Sequence, residues 1–296
     1  MPLPMSVRQS IGLVVYGLGA MLVVAPAFAQ SVERSVYAGV VDRTGAVVTD
    51  LTVRDFVVRE NGVTREVLRV SPATEPMQIA VLVDTSTEAE PGLADLRAGL
   101  REFVRAMGDR HQMALVGFGA RPTILVDYTT DRAAFAAGAD RLFTEPMSGS
   151  YLLDALVEVS EGLQRREGAR RTIVVVTLQG PEFSPRYHQH VVDDLRNADV
   201  TLHAFVLGSP VDLLDQNARE RRQALDVGAS ATGGRLDDLL AASALPAQMR
   251  ALADELENQY EVVYARPQTL IPPETIEVSV RRADLRVHAA RVLPEP

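Results

Sequence analysis

The chain has 296 residues, of which 47% are hydrophobic, so it is long enough to bury the core of one large domain with a smaller companion. Its formal net charge of −9 argues against nucleic acid or an anionic lipid surface as a partner. Cysteine is absent and every basic residue is an arginine, which excludes disulfides, Schiff-base lysines and the phosphate-binding lysine of nucleotide-binding loops.

The first 29 residues have the pattern of a secretory signal peptide. Arg8 lies in a short basic start, residues 11–24 form an apolar stretch, and Ala27-Phe28-Ala29 is typical of a cleavage site. We therefore predict cleavage after Ala29 and a periplasmic or secreted mature chain without a membrane span. The alternative is an uncleaved membrane anchor, although the apolar stretch is short for a bilayer.

Residues 30–72 are predicted to form a small β-subdomain. Short β-like runs cover residues 36–41, 56–60 and 65–70. Turn residues separate these runs, and Asn61-Gly62 is typical of a tight hairpin turn because both residues tolerate positive φ. A linker with two prolines follows over residues 71–76.

Residues 77–245 alternate between strand and helix patterns. The predicted strands cover residues 79–83, 113–118, 123–126, 172–178 and 200–207, and the predicted helices cover residues 93–107, 133–142, 152–163 and 190–198. Such alternation indicates an α/β fold, a doubly wound and mostly parallel sheet with helices on both faces. The run 172–178 is β-branched and continuously apolar up to Thr177, which predicts a central strand.

Residues 246–296 are predicted to form a C-terminal helix and a β extension. A helical pattern covers residues 247–258, and a strand follows over residues 260–264. Two further strand patterns, 275–281 and 286–292, are predicted to pair as a terminal β-hairpin.

Three polar segments are predicted to meet at one edge of the sheet. Asp84 and Ser86 follow the apolar strand 79–83, Ser148-Gly149-Ser150 precedes a predicted helix, and Gln179-Gly180 follows the central strand. In a doubly wound sheet the loops at the carboxyl ends of the strands converge on one crevice. Carboxylate and hydroxyl oxygens are ligands that Mg²⁺ and similar ions prefer.

The run Asp84-Thr85-Ser86-Thr87-Glu88 resembles the Asp-x-Ser-x-Ser motif of von Willebrand factor A (vWA) domains. By this resemblance Ser150 stands where the family has Thr, Gln179 where it has Asp, and Glu88 where it has the second Ser. The resemblance implies a degenerate metal-ion-dependent adhesion site. Its metal ligands would be Asp84, Ser86 and Ser150, and its ion Mg²⁺ or another divalent cation; the alternative is a site that has lost its metal.

The flanking segments carry a second resemblance. Residues 40–56 with Glu60-Asn61-Gly62, together with Gly233-Gly234-Arg235 and residues 258–264, resemble the exported "VWFA-related" proteins common in acidobacteria. That family has no assigned activity, so this resemblance concerns architecture.

The preferred hypothesis is therefore a non-enzymatic, exported protein–protein interaction module whose partner is another protein. The residues predicted to contact this partner are Asp84, Ser86, Glu88, Ser150 and Gln179. A second hypothesis is a structural or assembly component of the cell envelope with an inert site, in which exposed strand edges do the pairing. A third is a hydrolase that uses Asp84 with Ser86 or His111, although no triad-like spacing is visible and no catalytic residue is assigned.

Overall fold

The computed structural model describes residues 31–168, 170–208, 215–268, 273 and 275–291, so the signal peptide expected over residues 1–29 lies outside the described part. The strands are β1 (Ser31–Val41), β2 (Phe56–Glu60), β3 (Val63–Arg65), β4 (Val67–Pro72), β5 (Met77–Val83), β6 (Gln112–Gly117), β7 (Thr123–Thr129), β8 (Arg170–Leu178), β9 (Val200–Leu207), β10 (Leu236–Leu239), β11 (Tyr260–Pro267), β12 (Ile276–Val280) and β13 (Arg286–Ala289). The α-helices are α1 (Leu93–Ala106), α2 (Arg132–Asp140), α3 (Leu152–Gln164), α4 (His188–Asn197), α5 (Gln216–Thr232) and α6 (Leu245–Glu257).

The central sheet has six strands in the order β10-β9-β8-β5-β6-β7. All neighbouring strands are parallel except β7, which runs antiparallel to β6 at one edge. β5 and β8 lie side by side, with Val83 opposite Val176, and almost every residue of both strands is buried. Continuous apolar strands of this kind require cover on both faces of the sheet.

Helices supply this cover. Because side chains alternate along a strand, Ile79, Val81 and Val83 of β5 pack into one core with α1, α2 and α6. Ala80 and Leu82 point the other way, into a second core with α3, α4 and α5. The predicted α/β fold, doubly wound and mostly parallel, is confirmed.

The β segments at the two ends of the chain form shared sheets. β1 pairs with β11 and β13, and β4 pairs with the other edge of β11, which gives the order β13-β1-β11-β4. A three-stranded sheet has the order β12-β2-β3, with the predicted Asn61-Gly62 turn between β2 and β3 at φ values of 47° and 78°. Apolar residues of both sheets, among them Val36, Phe56 and Tyr264, pack into one core.

The expected C-terminal β-hairpin needs correction. β12 pairs with β2 and β13 pairs with β1, so the two strands lie in different sheets, and one described backbone hydrogen bond, from Ile276 N to Arg291 O at 2.7 Å, joins the two predicted segments. Each of them pairs with a strand from the amino-terminal part of the chain. Each also buries its apolar side against the common core. Sequence spacing predicts local pairing, whereas burial of the apolar side selects these distant partners.

The structure adds two elements that the sequence patterns did not predict, α5 and β10. α5 has 17 residues, begins after Asp215, whose side chain accepts from the amides of Asn217 and Ala218, and ends at Gly233 in the left-handed conformation. Its buried side consists mainly of small residues and Arg221, which leaves too weak an apolar periodicity to indicate a helix. Its cap residues are the signal that could have identified it.

Buried Arg170, at the start of β8, connects the six-stranded layer to the β sheets. Its guanidinium donates to the carbonyl oxygens of Glu75 and Leu256 at 2.8 and 3.0 Å and to Oε1 of Gln259 at 2.7 Å. Burial lowers the pKa of Arg170 to about 10. Within the described ranges, no helix combines the length and the apolar character that crossing a bilayer requires.

Candidate functional site

Three loops close over the carboxyl ends of β5 and β8 and form a crevice there. We call them the first loop (residues 84–92), the second loop (141–151) and the third loop (179–187). Backbone hydrogen bonds connect them: Glu145 N donates to Thr85 O at 2.8 Å, and Phe183 N donates to Ser150 O at 2.9 Å. The second loop therefore lies between the other two and holds both in place.

Asp84 lies at the floor of this crevice with 1% of its surface exposed. Its Oδ1 accepts from the amide of Ser86 at 3.0 Å. Its Oδ2 accepts from the hydroxyl of Thr177 at 2.9 Å and from the amide of Leu178 at 3.3 Å. These donors are all neutral, so they orient the carboxylate without balancing its charge.

Ser86, whose amide donates to this carboxylate, and Ser150 of the second loop are buried, at 1% and 3% exposure. The Oγ atom of each has no hydrogen-bond partner among the described residues. A buried hydroxyl without a partner is costly, and both oxygens keep their lone pairs free for a ligand.

Arg221 of α5 holds the third loop from below. It is 5% exposed, and its Nη1 donates to the carbonyl of Gly180 at 3.1 Å. Its Nη2 contacts the hydroxyl of Thr177 and the carbonyl of Leu178. Arg221 and Asp84 therefore both bond to the hydroxyl of Thr177, which lies between them. Neither Arg221 nor Thr177 was predicted from the sequence as part of the site.

Glu182 of the third loop is a buried acid that the sequence reasoning also missed. It is 1% exposed and forms a parallel β-bridge with Ser150. Its Oε1 accepts from the amide of Ser184 at 2.9 Å, and its Oε2 accepts from the amide of Leu152, the first residue of α3, at 3.3 Å. Burial raises the pKa of Glu182, while the bonds to Ser184 and the charge of Arg221 oppose this rise.

The two residues that replace expected ligands lie at the margin of the crevice. The side chain of Gln179 lies next to Gly208 at the end of β9. The backbone amide of Gln179 donates to Leu207 O at 2.9 Å. None of the described contacts joins its side chain to Asp84. Glu88 is exposed in a short 3₁₀ helix, Thr87–Gly92, and its Cβ and Cγ lie alongside Gly180 of the third loop.

Large apolar side chains stand exposed at the mouth of the crevice. Met147 is 99% exposed in the second loop, and Phe183 is 50% exposed in the third loop. We call these two residues the apolar rim. The ring of Phe183 covers Gly149 so closely that a Cβ there would lie 2.2 Å from it. The rim therefore spans both loops, and its Phe183 is joined to Ser150 by a backbone hydrogen bond.

The pairing of Asp84 with His111 that the hydrolase hypothesis considered does not form. The Nδ1 atom of His111 accepts from the amide of Met77, the first residue of β5, at 2.9 Å, and its Nε2 lies 2.9 Å from Oε1 of Glu257. Asp84 follows the last residue of the same strand, so roughly 20 Å of extended chain separates the two side chains. His111 serves to join β5 to α6 at the opposite edge of the sheet.

The donor set fits a hard cation chemically, although it carries little charge at the positions predicted from the sequence. Throughout the described residues, no group of three His, Cys, Asp or Glu side chains could hold a metal ion. Asp84, Ser86 and Ser150 nevertheless offer one carboxylate and two free hydroxyl oxygens, which are oxygen donors of the type that Mg²⁺ accepts.

Comparison with known proteins agrees with this geometry. Residues 79–179 match the family model described as von Willebrand factor type A domain. The chain is similar to the structure of von Willebrand factor type A from Catenulispora acidiphila, with 12% identity and a TM-score of 0.54, over 84% of this chain and 76% of that one. The chain has no match among curated proteins.

A second similar structure is proximal thread matrix protein 1 from the mussel byssus, with a zinc-occupied MIDAS motif. The identity is 16% and the TM-score 0.52, over 67% of this chain and 50% of that one. The chain therefore spans about half the length of this mussel protein. At such identities the likeness to both structures shows the fold alone.

Proposed function

We propose that the six-stranded layer, of which residues 79–179 match the von Willebrand factor type A domain model, is an exported protein–protein interaction module that docks another protein at the crevice between its three loops. The single observation that carries this proposal is the association of the apolar rim with buried, unpartnered oxygens. Met147 and Phe183 expose apolar surface on the second and third loops, and the amide of Phe183 donates to the carbonyl of Ser150, whose buried hydroxyl has no partner among the described residues. Apolar surface around a few convergent polar groups is the usual composition of a docking site.

In this proposal a divalent cation adds to docking without acting chemically. Asp84, Ser86 and Ser150 would hold it, and it would supply a positive charge at the floor of the crevice for an acceptor group of the partner. Glu88 and Gln179 lie at the margin and would contact the partner directly. The proposal needs no reaction at the crevice.

The test is capture of partners from envelope extracts by the immobilised mature chain, quantified by mass spectrometry. We expect a double variant, Met147→Ser with Phe183→Ser, to lose at least tenfold of the specific signal at unchanged melting temperature. A matched control, Leu68→Ser, removes an apolar side chain that is 41% exposed on β4. Equal capture by the double variant and the wild type would exclude docking at the crevice.

A second candidate is a structural role at the cell envelope through strand pairing. β4 forms one edge of the sheet β13-β1-β11-β4, and Leu68 on it is exposed. An exposed edge strand offers free backbone groups to another chain. Loss of capture in the Leu68→Ser variant, with full capture by the double variant of the rim, would favour this role.

A further inference from the structure

We propose that Glu182 provides the third-loop carboxylate of the cation site, in place of the charge that is missing at Gln179. This inference rests on the proposed function, since it concerns the ion held at the same crevice. The charge balance of the crevice supports it. Asp84 and Glu182 are both 1% exposed, and neither forms an ion pair among the described residues.

The charge of Arg221, which lowers the pKa of Glu182, offsets these two carboxylates only in part. The hydrogen bonds of Arg221 go to Thr177, Leu178 and Gly180, and none goes to a carboxylate. Two buried acids with one guanidinium nearby leave a net negative charge in a region from which water is largely excluded. Burying such charge is unfavourable unless a cation compensates it.

Glu182 lies at the correct place to share a cation with Ser150. The two residues are partners in a parallel bridge, and paired residues of a bridge direct their side chains to the same side. The Oγ atom of Ser150 has no partner among the described residues. An ion bound there would satisfy this hydroxyl and the carboxylate of Glu182 together.

The simpler role of Glu182 is to cap the amino end of α3, and it does so through the amide of Leu152. Capping and the bond from Ser184 use both carboxylate oxygens, whereas a glutamine would offer only one acceptor oxygen. Each oxygen of Glu182 accepts one described hydrogen bond, so each retains a further lone-pair position for a ligand. Glu182 can therefore cap α3 and still offer a charged oxygen to a cation.

The position of the residue explains why the replacement at Gln179 can be tolerated. Gln179 turns its side chain toward Gly208, whereas the chain returns to the crevice at Glu182, three positions further on. The third loop thus presents a carboxylate to the second loop instead of to the end of its own strand. The donor set becomes two carboxylates, Asp84 and Glu182, with the hydroxyls of Ser86 and Ser150.

The test is calorimetric titration of the mature chain with MnCl₂ and MgCl₂. We expect the wild type to bind one ion and Glu182→Gln to weaken binding at least tenfold, because glutamine removes the charge while it keeps one acceptor oxygen for the cap. Glu182→Asp should recover part of the affinity. Glu90→Gln, which removes an exposed acid of the first loop, is the matched control and should change the Kd less than twofold.

Metal-free melting temperatures of all variants show whether Glu182→Gln has altered the fold. A Glu182→Gln variant that binds Mn²⁺ as tightly as the wild type overturns the inference, and so does a wild type that gives neither heat nor a melting shift. Partner capture by the rim variants tests the proposed function separately, since Met147 and Phe183 bind no ion. Failure of cation binding and failure of docking are thereby distinguishable.

Discussion

The hydroxyl of Thr177 donates a hydrogen bond of 2.9 Å to Oδ2 of Asp84, and this contact joins the ends of the two central strands. Thr177 also receives a contact from Arg221, so a single hydroxyl lies between a buried acid and a buried base. This bond orients the carboxylate of Asp84 at the floor of the crevice.

Thr177→Val keeps the shape of the side chain and removes this hydroxyl. We expect the free energy of unfolding to fall by about 1–3 kcal/mol, because the buried oxygen of Asp84 and the guanidinium of Arg221 each lose a partner. Urea denaturation measures the change. Thr172→Val, at the other end of β8, is the control and should cost less than about 1 kcal/mol. Equal losses in the two variants would show that the bond to Asp84 is unimportant.

Arg221→Met should loosen the third loop. The guanidinium donates to the carbonyl of Gly180 and contacts that of Leu178, and hydrogen bonds to charged groups are worth roughly 1.5–3 kcal/mol. We expect faster amide hydrogen exchange over residues 178–184 and a loss of about 2–3 kcal/mol in the free energy of unfolding. Unchanged exchange in this segment would contradict the role given to Arg221.

The neighbouring residue offers the control for this variant. Arg222 pairs with Asp238 at 2.6 Å, but both side chains are more than a third exposed. Exposed ion pairs contribute about 0–1 kcal/mol, so Arg222→Met should leave both the stability and the exchange of the third loop nearly unchanged.

Gly149→Ala should displace Phe183 from the crevice without unfolding the protein. The new Cβ would lie 2.2 Å from the ring, and an exposed ring can rotate away. We expect a melting temperature within a few degrees of the wild type and a severalfold loss of partner capture. Gly162→Ala is the control: its Cβ would meet nothing within 4 Å in α3, so it should stabilise by roughly 0.5–1 kcal/mol.

His203 should make the protein less stable as the pH falls. Burial lowers the pKa of His203 from 6.5 to about 3, and both ring nitrogens lack a hydrogen-bond partner among the described residues. Between these two values the unfolded chain binds a proton that the folded chain does not. The free energy of unfolding should therefore fall on acidification below pH 6.5, by about 1.4 kcal/mol per pH unit for this one group.

The measurement is urea denaturation between pH 7 and pH 5, with His203→Leu as the variant. This window lies above the range in which Glu255, whose pKa is held below its ordinary 4.5, begins to protonate. His203→Leu should remove the slope assigned to His203, whereas His190→Leu, which changes an exposed residue, should retain it. An identical slope in wild type and His203→Leu would refute the assignment.

The sequence predicts those parts of the fold that depend on local apolar patterns. The continuous apolar character of β5 and β8 indicated central strands, and Asp84 with Ser86 stood out as polar residues directly after one of them. In contrast, α5 lacks a strong apolar periodicity because it buries small residues and Arg221 against its neighbours.

The long-range strand pairing and the position of the Glu182 carboxylate could not be predicted from the sequence. The partners of β12 and β13 are more than 200 residues away, and only burial of the common core selects them. Glu182 lies in a loop with no periodic pattern, and its proximity to Ser150 appears only when the second and third loops are folded together. No spacing rule connects these two positions.

Docking at the crevice is tested most directly by site-specific photocrosslinking. A photoreactive phenylalanine analogue at position 147 or 183 should give a discrete cross-linked partner in envelope extracts, and Asp84→Ala should weaken that product by altering the floor of the crevice. The same analogue at position 68, on the edge strand β4, should give none. Cross-links from position 68 alone would contradict docking at the crevice and assign the interaction to the edge of the β sheet.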